Sequence, residues 1–480
     1  MDSITVQKHN ETYAKIVCEP GIAQELSEVF TFHVPGYQFM PSYRNKLWDG
    51  RIRLFNQLTC LIYSGLTPYI EKFCQERQYL IDYDGDFLAD EFSLNEANDF
   101  IKKLAPKLEP RDYQIDAFTH AVRNRRSLLL SPTASGKSFI IYFLVRYYAR
   151  KTLIIVPTTS LVSQLASDFA DYGFKSEKYV HRIFSGQEKQ SDKPIVISTW
   201  QSIYKMPKKY FEDFDVVIGD EAHLFKAKSL ISIMEKLHSC RYRFGFTGTL
   251  DGTQTHRLVL EGLFGTVRKV ISTSELIEKK HLADFRIKAI VLNYSDEIKK
   301  QLSGSTYQDE MDFLVRNNTR NNFIKKLTLS LEGNTLLLFQ YVEKHGKVLY
   351  DMLKAEGRNV FFVYGGVEGE ERENIRKIVE QERDSIIVAS YGTFSTGVNI
   401  RNLHNVVFSS PSKSRIRNLQ SIGRALRKSE TKTSSTLFDI ADDLTWKSKK
   451  NHTLLHFVER INIYNEEKFD YKIYKVKLNG

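Results

Sequence analysis

The chain has 480 residues, 42% of them apolar and 26% charged, which is the balance of an ordinary globular protein with room for roughly three domains. Its 69 lysines and arginines exceed its 58 acidic residues and give a net charge of +11, which attracts polyanions without selecting one of them. The sequence lacks an apolar run near the roughly 18 residues of a membrane span and a signal-peptide pattern at its start, so we expect a cytoplasmic protein.

Residues 1–90 are predicted to form a small α+β domain. Alternating apolar residues at 4–6, 13–17 and 48–55 indicate strands, and residues 21–30 indicate a helix. Aromatic and basic side chains are interleaved at Tyr37, Phe39, Tyr43, Arg44, Lys46, Trp48, Arg51 and Arg53. Cations can meet phosphates while rings stack on bases, so this mixture is typical of a surface that binds duplex or junction DNA. In the alternative interpretation the rings form a core and the cations its solvated face.

The rest of the chain is predicted to form two α/β domains in tandem. Residues 91–107 indicate a helix that ends at Pro106 and the start of a linker that runs from Pro106 to Pro110. Short apolar runs alternate with helical stretches over 108–275, and a second such series covers 276–445. Because each run is too short for a helix, this alternation predicts two parallel sheets, each covered on both faces. Helical spacing after Trp446 predicts a C-terminal helical extension over 446–480.

A phosphate-binding loop is indicated at residues 131–138, between the apolar run 128–130 and a helix-like stretch. A loop that enters a helix aims several backbone N–H groups at one spot, where the helix dipole also favours negative charge. Glycine allows close approach, lysine reaches the β- and γ-phosphates, and serine offers a hydroxyl to Mg²⁺. The residues expected to hold ATP are Thr133, Ala134, Ser135, Gly136, Lys137 and Ser138. The first glycine of the usual pattern is Ser131 here, so the loop is a variant.

Two carboxylates follow a predicted buried strand, at Asp220 and Glu221. The carboxyl ends of parallel strands share one edge of a sheet, so both residues are expected beside the phosphate loop. Asp220 can then hold Mg²⁺ together with Ser138, and Glu221 can take a proton from an attacking water. An isolated D-E-A-H tetrapeptide would be a solvated acidic loop. Its position behind a phosphate loop and at a strand end predicts a site of nucleotide hydrolysis.

Two shorter patterns accompany these motifs. In the run that begins at Arg111, the amide of Gln114 can meet both edges of an adenine while Tyr113 packs nearby. The alternative is that these polar residues cap the following helix. Thr247 and Thr249 follow a strand of their own. Their small hydroxyl side chains can respond to the bound phosphates and couple that response to closure of the cleft. Taken alone, that tripeptide would be a turn.

A basic helix is predicted in the second series. Gln420, Arg424 and Arg427 are spaced so that they share one face. Guanidinium groups fit a γ-phosphate and stabilise the charge that spreads over it during transfer. The alternative is a basic face exposed to water, and the neighbouring lysines and arginines indicate that part of it is only solvated.

Seven motifs stand in the order typical of one helicase superfamily. They are P-T-A-S-G-K-S (132–138), V-P-T-T-S (156–160), S-T-W-Q-S (198–202), D-E-A-H (220–223), T-G-T (247–249), S-Y-G-T-F-S-T-G-V-N (390–399) and Q-S-I-G-R-A-L-R (420–427). The chain thus resembles superfamily-2 helicases. W-D-G-R-I-R-L (48–54), S-T-Y-Q (305–308), A-S-Y-G-T-F-S-T-G (389–397) and E-K-F-D-Y (467–471) further resemble the phage UvsW-type recombination helicases, through nearly the whole chain.

The resemblance implies two RecA-like domains behind a small N-terminal domain. It also implies an ATP- and Mg²⁺-dependent DNA helicase that remodels branched DNA by branch migration, fork regression and D-loop or R-loop dissociation in recombination and repair. Arg424 and Arg427 would be arginine fingers that reach ATP across a cleft between the sheets. The residues implied to touch the DNA backbone are Thr158, Thr159, Thr199, Thr393 and Ser395. Many superfamily-2 proteins carry an acid where this chain has Asn399, so that acid's role does not transfer.

Two rival functions stay open at this point. A DEAH-type RNA helicase would share the motor and differ in its substrate. A non-motor protein would bind nucleic acid under the control of a regulatory ATP site. The presence of Lys137, Asp220, Glu221 and both arginines together favours a motor.

Overall fold

The computed structural model describes residues 2–87, 89–184, 186–393, 400, 402–410, 412, 414–426, 432 and 434–478, except the side chains of residues 369, 415–417, 424 and 425. The chain divides into two compact units, Met1–Ser131 with Gly136–Ile271, and Ser272–Gly480 with Pro132–Ser135. Within the described ranges, we find no helix that is both long and apolar enough to cross a membrane.

The N-terminal domain is a small mixed sheet covered by helices. In chain order its elements are β1 Ser3–Lys8, β2 Tyr13–Val17, α1 Pro20–Val29, β3 Thr31–His33, α2 Pro41–Arg44, β4 Arg51–Arg53, β5 Phe55–Asn56, β6 Leu61–Tyr63, α3 Thr67–Arg77 and β7 Leu80–Asp84. The sheet order is β5-β6-β2-β1-β7, with β1 antiparallel to β2 and parallel to β7. Strands β3 and β4 form a separate antiparallel ribbon. Alternate residues of β1 and β2 are buried, as a sheet with one covered face requires.

The first RecA-like domain surrounds a parallel sheet. Its elements are α4 Leu94–Leu104, α5 Asp112–Asn124, β8 Arg126–Leu130, α6 Lys137–Tyr148, β9 Thr152–Val156, α7 Thr159–Asp171, α8 Ser176–Tyr179, β10 Val180–Ile183, β11 Ile195–Thr199, α9 Trp200–Ile203, α10 Lys208–Phe211, β12 Val216–Asp220, α11 Lys228–Lys236, β13 Tyr242–Thr247, α12 Gln254–Phe264 and β14 Val267–Lys269. The described strands run in the order β10-β11-β9-β12-β13-β8-β14. Strands β8, β9 and β12 are almost wholly buried, because helices cover both faces.

The N-terminal domain packs on the first sheet through polar contacts as well as a shared apolar core. The hydroxyls of Tyr13 and Tyr63 both donate to Glu235 Oε1, each at 2.8 Å. Arg243, which is 1% exposed, donates through Nη2 to Thr12 Oγ1 at 2.8 Å. A Cβ placed on Gly65 would lie 2.0 Å from the carbonyl oxygen of residue 261, so a larger side chain does not fit there. The domain is therefore mounted firmly on this sheet.

The second RecA-like domain repeats the parallel design. Its elements are α13 Thr273–Glu278, β15 Asp284–Asn293, α14 Asp296–Gln301, α15 Tyr307–Arg316, α16 Asn318–Ser330, β16 Thr335–Phe339, α17 Lys347–Lys354, β17 Val360–Val363, α18 Gly369–Gln381, β18 Ile386–Ser390, β19 Asn405–Phe408, α19 Arg415–Ala425, β20 Ser434–Asp443, α20 His452–Glu466 and β21 Tyr471–Lys477. The described strands run in the order β17-β18-β16-β19-β20-β15-β21. The predicted α/β class, with two tandem RecA-like domains and a small N-terminal α+β domain, is confirmed.

The structure corrects the sequence prediction at the C-terminal extension and at residues 48–55, and it confirms the helix before Pro106. The C-terminal extension is helical only in α20, since β21 then pairs in parallel with β15 as an edge strand. Its alternating aromatic, branched and lysine residues suit an exposed edge and have no helical period. The helix expected within 91–107 is formed as α4, and Ala97 and Ile101 of this helix, with Phe92 just before it, are buried in the core of the first sheet. The strand expected over 48–55 is broken into β4 and β5.

Candidate functional site

The phosphate loop joins β8 to α6 at the carboxyl edge of the first sheet. The N–H of Ser131 donates to the carbonyl of Thr247 at 2.9 Å, which ties the loop's start to the end of β13. The hydroxyl of Ser135 donates to the carbonyl of Pro132 at 2.6 Å, so the loop folds back on itself. Gly136 (φ +80°) and Ala134 (φ +66°) both have left-handed backbones, which turn the chain into α6. Thr133 lies within the same loop.

The three residues predicted to recognise adenine lie at the start of α5. The backbone N–H of Arg111 donates to Gln114 Oε1 at 2.9 Å, and Arg111 Nη1 donates to the hydroxyl of Tyr113 at 2.7 Å. A Cβ on Gly136 would lie 2.3 Å from Gln114 Nε2, so the amide reaches the phosphate loop. Gln114 thus caps α5, as the alternative interpretation has it, and also contacts the loop. Its adenine contact stays a prediction.

The lysine of the loop meets both predicted carboxylates. Lys137 Nζ lies 3.2 Å from Glu221 Oε1 and 3.7 Å from Asp220 Oδ1. Burial lowers the pKa of Lys137, but the two carboxylates outweigh it, so this pKa is raised and the ammonium stays charged. Burial raises the pKa of Asp220, which Lys137 only partly offsets. One ammonium against two carboxylates leaves a deficit of positive charge, which suits a divalent cation at Asp220.

Glu221 is held in an uncommon backbone conformation. Its φ of 50° and ψ of 50° lie in the left-handed region, which a residue with a Cβ rarely adopts. Its N–H donates to Asp220 Oδ1 at 2.9 Å, which stabilises the tight bend after β12. This bend brings the two adjacent carboxylates together around Lys137, whereas an extended strand would place them on opposite faces.

His223 joins the acidic motif to the threonine motif. Its Nδ1 lies 2.9 Å from Thr247 Oγ1 and 3.4 Å from Glu221 Oε2. Thr247 in turn donates through Oγ1 to the carbonyl of Thr249 at 3.1 Å. Burial lowers the pKa of His223, so the ring is neutral at neutral pH and serves as a hydrogen-bonding link. The sequence offered His223 only as the last letter of D-E-A-H, without a role.

Tyr172 is a site residue that the sequence reasoning missed. Its hydroxyl lies 2.7 Å from Ser138 Oγ, the predicted Mg²⁺ ligand. Burial raises the pKa of Tyr172 to about 12, so the phenol keeps its proton. A tyrosine one residue beyond α7 has no motif around it, and only the packing of α7 against α6 brings it to the loop.

The threonines assigned to DNA contact lie where strands end. In the first domain, Thr158 precedes α7 and Thr159 begins it, and Thr158 Oγ1 lies 3.0 Å from a neighbouring serine hydroxyl. Thr199 ends β11 and is 6% exposed, with Oγ1 2.9 Å from the hydroxyl of Ser202. In the second domain, Thr393 Oγ1 accepts from Ser390 Oγ at 2.8 Å. The hydroxyls of Thr199 and Thr393 are therefore bonded locally.

The predicted arginine-finger helix is formed, and it is α19. Leu419 and Ile422 are buried and attach one face of it to the second domain. Gln420 lies in this helix and is partly exposed. The side chain of Arg424 and all of Arg427 lie outside the described residues, as do Ser395 and Asn399. Their roles stay predictions.

The interleaved aromatic and basic residues build a small projection, which we call the arm (residues 31–53). Tyr37 stacks on His33 with ring centres 4.5 Å apart and meets the edge of Tyr43 at 4.8 Å. A Cβ on Gly50 (φ +77°) would lie 2.3 Å from the ring of Tyr37. Trp48 Nε1 donates to the carbonyl of Arg51 at 2.9 Å. These rings thus pack on one another at the surface, since Tyr37 and Trp48 are partly exposed and Tyr43 is 36% exposed.

Other side chains of the arm project outward. Phe39 is 73% and Leu47 is 81% exposed. Arg53 pairs with Asp49, with Nη2 2.5 Å from Oδ2, whereas Arg51 is exposed. The rings of the set are therefore not a buried core, as the alternative interpretation required, and DNA binding by the arm stays a prediction.

Comparisons with known proteins give the family. The family described as "DNA helicase UvsW, N-terminal" matches residues 3–84, "Type III restriction enzyme, res subunit" matches 107–252, and "Helicase conserved C-terminal domain" matches 319–429. The ATP-dependent DNA helicase uvsW of Enterobacteria phage T4 is 37% identical over 502 aligned residues, which cover 99% of this chain and 100% of the relative. The chain belongs to the UvsW family of DNA helicases.

Solved structures agree with the UvsW assignment. The crystal structure of T4 UvsW covers 99% of this chain and 100% of its own, with a TM-score of 0.53 at 37% identity. The DNA 3'-5' translocase XPB2 of Sulfurisphaera tokodaii is 29% identical over 201 residues, 42% of this chain and 44% of the relative. The restriction-modification enzyme LlaBIII, at 16% identity and a TM-score of 0.57 over 77% of this chain and 32% of its own, shares the fold alone.

Proposed function

We propose that this UvsW-family chain, an ATP-dependent DNA helicase of superfamily 2, remodels branched DNA by branch migration, fork regression and dissociation of D-loops or R-loops. One observation carries the ATP-driven part of the proposal. Lys137 lies within 3.7 Å of both Asp220 and Glu221 at one sheet edge, beside a helix N-terminus. A cation for phosphate, a ligand for a metal and a base for water thus meet in one place.

The residues of the first domain have separate roles in this proposal. Lys137 and the N–H groups at the start of α6 bind the β- and γ-phosphates, and Glu221 takes the proton of the attacking water. Asp220 and Ser138 would hold Mg²⁺, which when bound neutralises phosphate charge. Lys137 must then leave its carboxylates and Ser138 must leave Tyr172, so ATP binding exchanges hydrogen-bond partners. His223, which contacts both Glu221 and Thr247, couples this change to the threonine motif.

The second domain completes the site in this proposal. Arg424 and Arg427 face the γ-phosphate with Gln420 beside them, and stabilise the charge that develops during transfer. Their engagement closes the domains, and phosphate loss opens them. The threonine and serine hydroxyls at the strand ends grip the DNA backbone without reading its sequence, so each cycle moves the strand. The order of the motifs and the formation of α19 support this assignment.

The arm supplies the preference for branched DNA in this proposal. Its cations meet duplex phosphates, and the exposed Phe39 and Leu47 offer apolar surface to the bases at a branch point. The firm mounting of the N-terminal domain on the first sheet makes the arm move with that sheet. DNA held by the arm is thereby displaced relative to DNA held by the second domain.

An unwinding assay over a panel of substrates tests this function. Labelled forks, Holliday junctions, R-loops, plain DNA duplexes and RNA duplexes are compared with ATP, without ATP, and with Lys137→Ala as the inactive control. We expect ATP-dependent processing that is fastest on the branched DNAs. Equal rates on plain duplexes would remove the branched preference. Faster RNA unwinding would indicate a DEAH-type RNA helicase, and binding without ATP-dependent displacement would indicate a non-motor protein.

A further inference from the structure

The segment that leads into α19 is anchored unusually well. It follows β19 and begins with Ser409 and Ser410, and its last described residues are Ser412 and Ser414. The hydroxyl of Ser409 donates to the carbonyl of Leu338 on the neighbouring strand at 2.7 Å. We call residues 409–414 the serine segment. Its path sets where α19 begins, because the N–H of residue 418 already donates to the carbonyl of Ser414 at 3.0 Å.

A buried arginine of α16 holds the first carbonyl of this segment. Arg320 donates through Nε and Nη2 to the two carboxylate oxygens of Asp442, at 2.8 and 2.9 Å. The same Nη2 donates to the carbonyl of Ser409 at 2.8 Å. Tyr294 donates its hydroxyl to Asp442 at 2.7 Å. Both charged side chains are 0% exposed, so the group is a dry, hydrogen-bonded ion pair that also grips the backbone.

A second buried arginine, from α20, holds a later carbonyl in the same way. Arg460 donates through Nε to Asp439 at 2.9 Å and through Nη1 to the carbonyl of Ser412 at 3.1 Å. Tyr464 donates its hydroxyl to Asp439 at 2.8 Å. The side chains of the pair are 1% and 0% exposed. Each arginine thus has one aspartate, one tyrosine beside that aspartate, and one carbonyl of the serine segment.

The residue between these two anchors is held as well. Tyr391 donates its hydroxyl to the carbonyl of Ser410 at 3.1 Å. The hydroxyl of Ser410 accepts from the N–H of Gln340 at 3.2 Å and lies 3.1 Å from Nδ1 of His345. The three serines Ser409, Ser410 and Ser412 are therefore each held by at least one side chain of the second domain.

The two aspartates reach the segment from opposite sides. Asp439 and Asp442 lie three residues apart on β20, and successive residues of a strand point to opposite faces. Helix α20 meets the first of them and α16 meets the second. A buried ion pair is often no more stabilising than apolar residues of the same volume. The contribution of the two pairs is instead to fix the position of the serine segment, because a planar guanidinium holds its partners in fixed directions.

We propose that the pairs Arg320–Asp442 and Arg460–Asp439 are positioning devices that hold Ser409 and Ser412 and so fix the start of the arginine-finger helix α19. They act on the reaction through that helix and touch neither ATP nor DNA. The inference rests on the proposed function of α19. It assigns to four buried charges the placement of the fingers during γ-phosphate transfer.

Two double variants remove each anchor without leaving a buried charge. Arg320→Met with Asp442→Asn deletes the grip on Ser409, and Arg460→Met with Asp439→Asn deletes the grip on Ser412. In both, the asparagine still accepts from the neighbouring tyrosine. Tyr391→Phe is a milder third variant, which removes only one hydroxyl and keeps the test available if a double variant does not fold.

The opposite edge of the same sheet offers a matched control. Arg358 pairs with Asp384, with Nη2 2.6 Å from Oδ1, and donates through Nη1 to the carbonyl of Leu331 at 3.1 Å. This is the same chemistry, an arginine–aspartate pair that holds a backbone carbonyl. It lies at the amino ends of the strands, away from α19. Since these two side chains are 16% and 61% exposed, Arg358→Met with Asp384→Asn reports the loss of a partly exposed pair that holds a carbonyl away from the serine segment.

The readouts are DNA-stimulated ATP turnover and the affinities for ADP and for ADP with aluminium fluoride, a mimic of the transferring phosphoryl group. We expect kcat to fall on the order of 10-fold to 10²-fold in both anchor variants, as misplacement of a catalytic group by about 1 Å does. Affinity for the mimic should fall with it while ADP affinity stays, and the Arg358 control should keep its kcat. An anchor variant that matches that control would overturn the proposal.

A cycle with Arg424→Ala separates this inference from the proposed function. If the anchors act through the fingers, adding an anchor variant to Arg424→Ala with Arg427→Ala lowers kcat no further. If the two losses multiply in that background, the anchors do not work through the fingers and the positioning role fails. If Arg424→Ala alone keeps its rate, the finger assignment itself fails, whatever the anchors do.

Discussion

The charged side chains at the carboxyl edges of the two sheets differ in their charge balance and in their exposure. In the first sheet one ammonium, Lys137, faces the two carboxylates Asp220 and Glu221, and these side chains are 16–23% exposed. In the second sheet Arg320 and Arg460 each face a single aspartate, and those side chains are at most 1% exposed. The first cluster has one more carboxylate than it has cations and is partly exposed. In the second sheet each charge has one partner of opposite sign, and both are buried.

The charge balance and burial of such a cluster indicate whether its cation can change partners during the reaction. An ammonium on a flexible stem that has a surplus of acceptors can change partners when a phosphate or a metal arrives. A guanidinium with a matched carboxylate in a dry interior cannot, since breaking the pair leaves an uncompensated buried charge. The first cluster is therefore suited to binding phosphate and metal, and the buried pairs of the second sheet are suited to fixing the positions of other residues.

The largest effect is expected where the open cluster is altered. Glu221→Gln keeps the shape of the side chain and removes the proposed base, so ATP turnover should fall on the order of 10²-fold to 10⁴-fold. Binding of DNA should stay measurable, because the backbone grip lies elsewhere. The measurement is steady-state ATP hydrolysis at saturating DNA.

The matched control for this change is Glu235→Gln in the same structural unit. Glu235 accepts from Tyr13 and Tyr63, and a glutamine oxygen can still accept from both. Turnover should therefore stay close to that of the unaltered protein. Near-normal turnover in Glu221→Gln would remove Glu221 as the proposed base.

Breaking one dry pair should destabilise the fold more than removing the pair. Arg460→Met alone strands the buried charge of Asp439 and should cost about 3–5 kcal/mol of unfolding free energy. The double variant Arg460→Met with Asp439→Asn should recover much of that loss. Urea unfolding followed by circular dichroism measures both. Equal losses in the single and double variants would mean that the carboxylate carries no stranded charge, and the contrast between the two edges would weaken.

The neutral histidine beside the serine segment should make the second domain sensitive to acid. Burial lowers the pKa of His345 to about 3, while an unfolded histidine titrates near 6.5. The unfolded chain thus binds more protons between these values, and stability falls as pH drops through that window. Between pH 7 and pH 5 this group alone should remove about 2 kcal/mol.

A variant isolates this contribution from those of other buried histidines. His345→Asn keeps a polar group near Ser410 and abolishes the titration, so its stability should fall less between pH 7 and pH 5. The pKa values of His223 and His120 are also lowered by burial, and both residues are present in either protein. Parallel pH profiles for the two proteins would contradict the assignment.

The sequence predicted the central strands of both large sheets and the edge strand β17, and missed the edge strands β10, β14 and β21. Strands β8, β9 and β12 read as apolar runs because helices bury both of their faces. Strand β14, with two of its three residues charged, lies at an edge and reads as a polar loop. The last edge strand, β21, has three lysines among its seven residues for the same reason.

The catalytic cluster was predictable and its supports were not. Lys137, Asp220 and Glu221 belong to motifs in which residue type and spacing already state the chemistry. A single arginine such as Arg320 looks like a solvated charge, since arginines are mostly exposed. Only the fold, which brings it beside an aspartate more than a hundred positions away, makes it a buried anchor. Tyr172 was missed for the same reason.

The smallest effect is expected on the arm, whose cations belong neither to the Lys137 cluster nor to a buried arginine–aspartate pair. Arg51→Ala should leave maximal ATP turnover unchanged and lower the slope of log affinity for forked DNA against log salt by about 0.9, as losing one phosphate contact does. Arg53→Ala should lower it less, because Asp49 already engages that guanidinium. Lys72→Ala, which removes a 71% exposed cation outside the arm, is the control. If Lys72→Ala changes the slope as much as Arg51→Ala does, the arm is only one part of a diffuse positive surface.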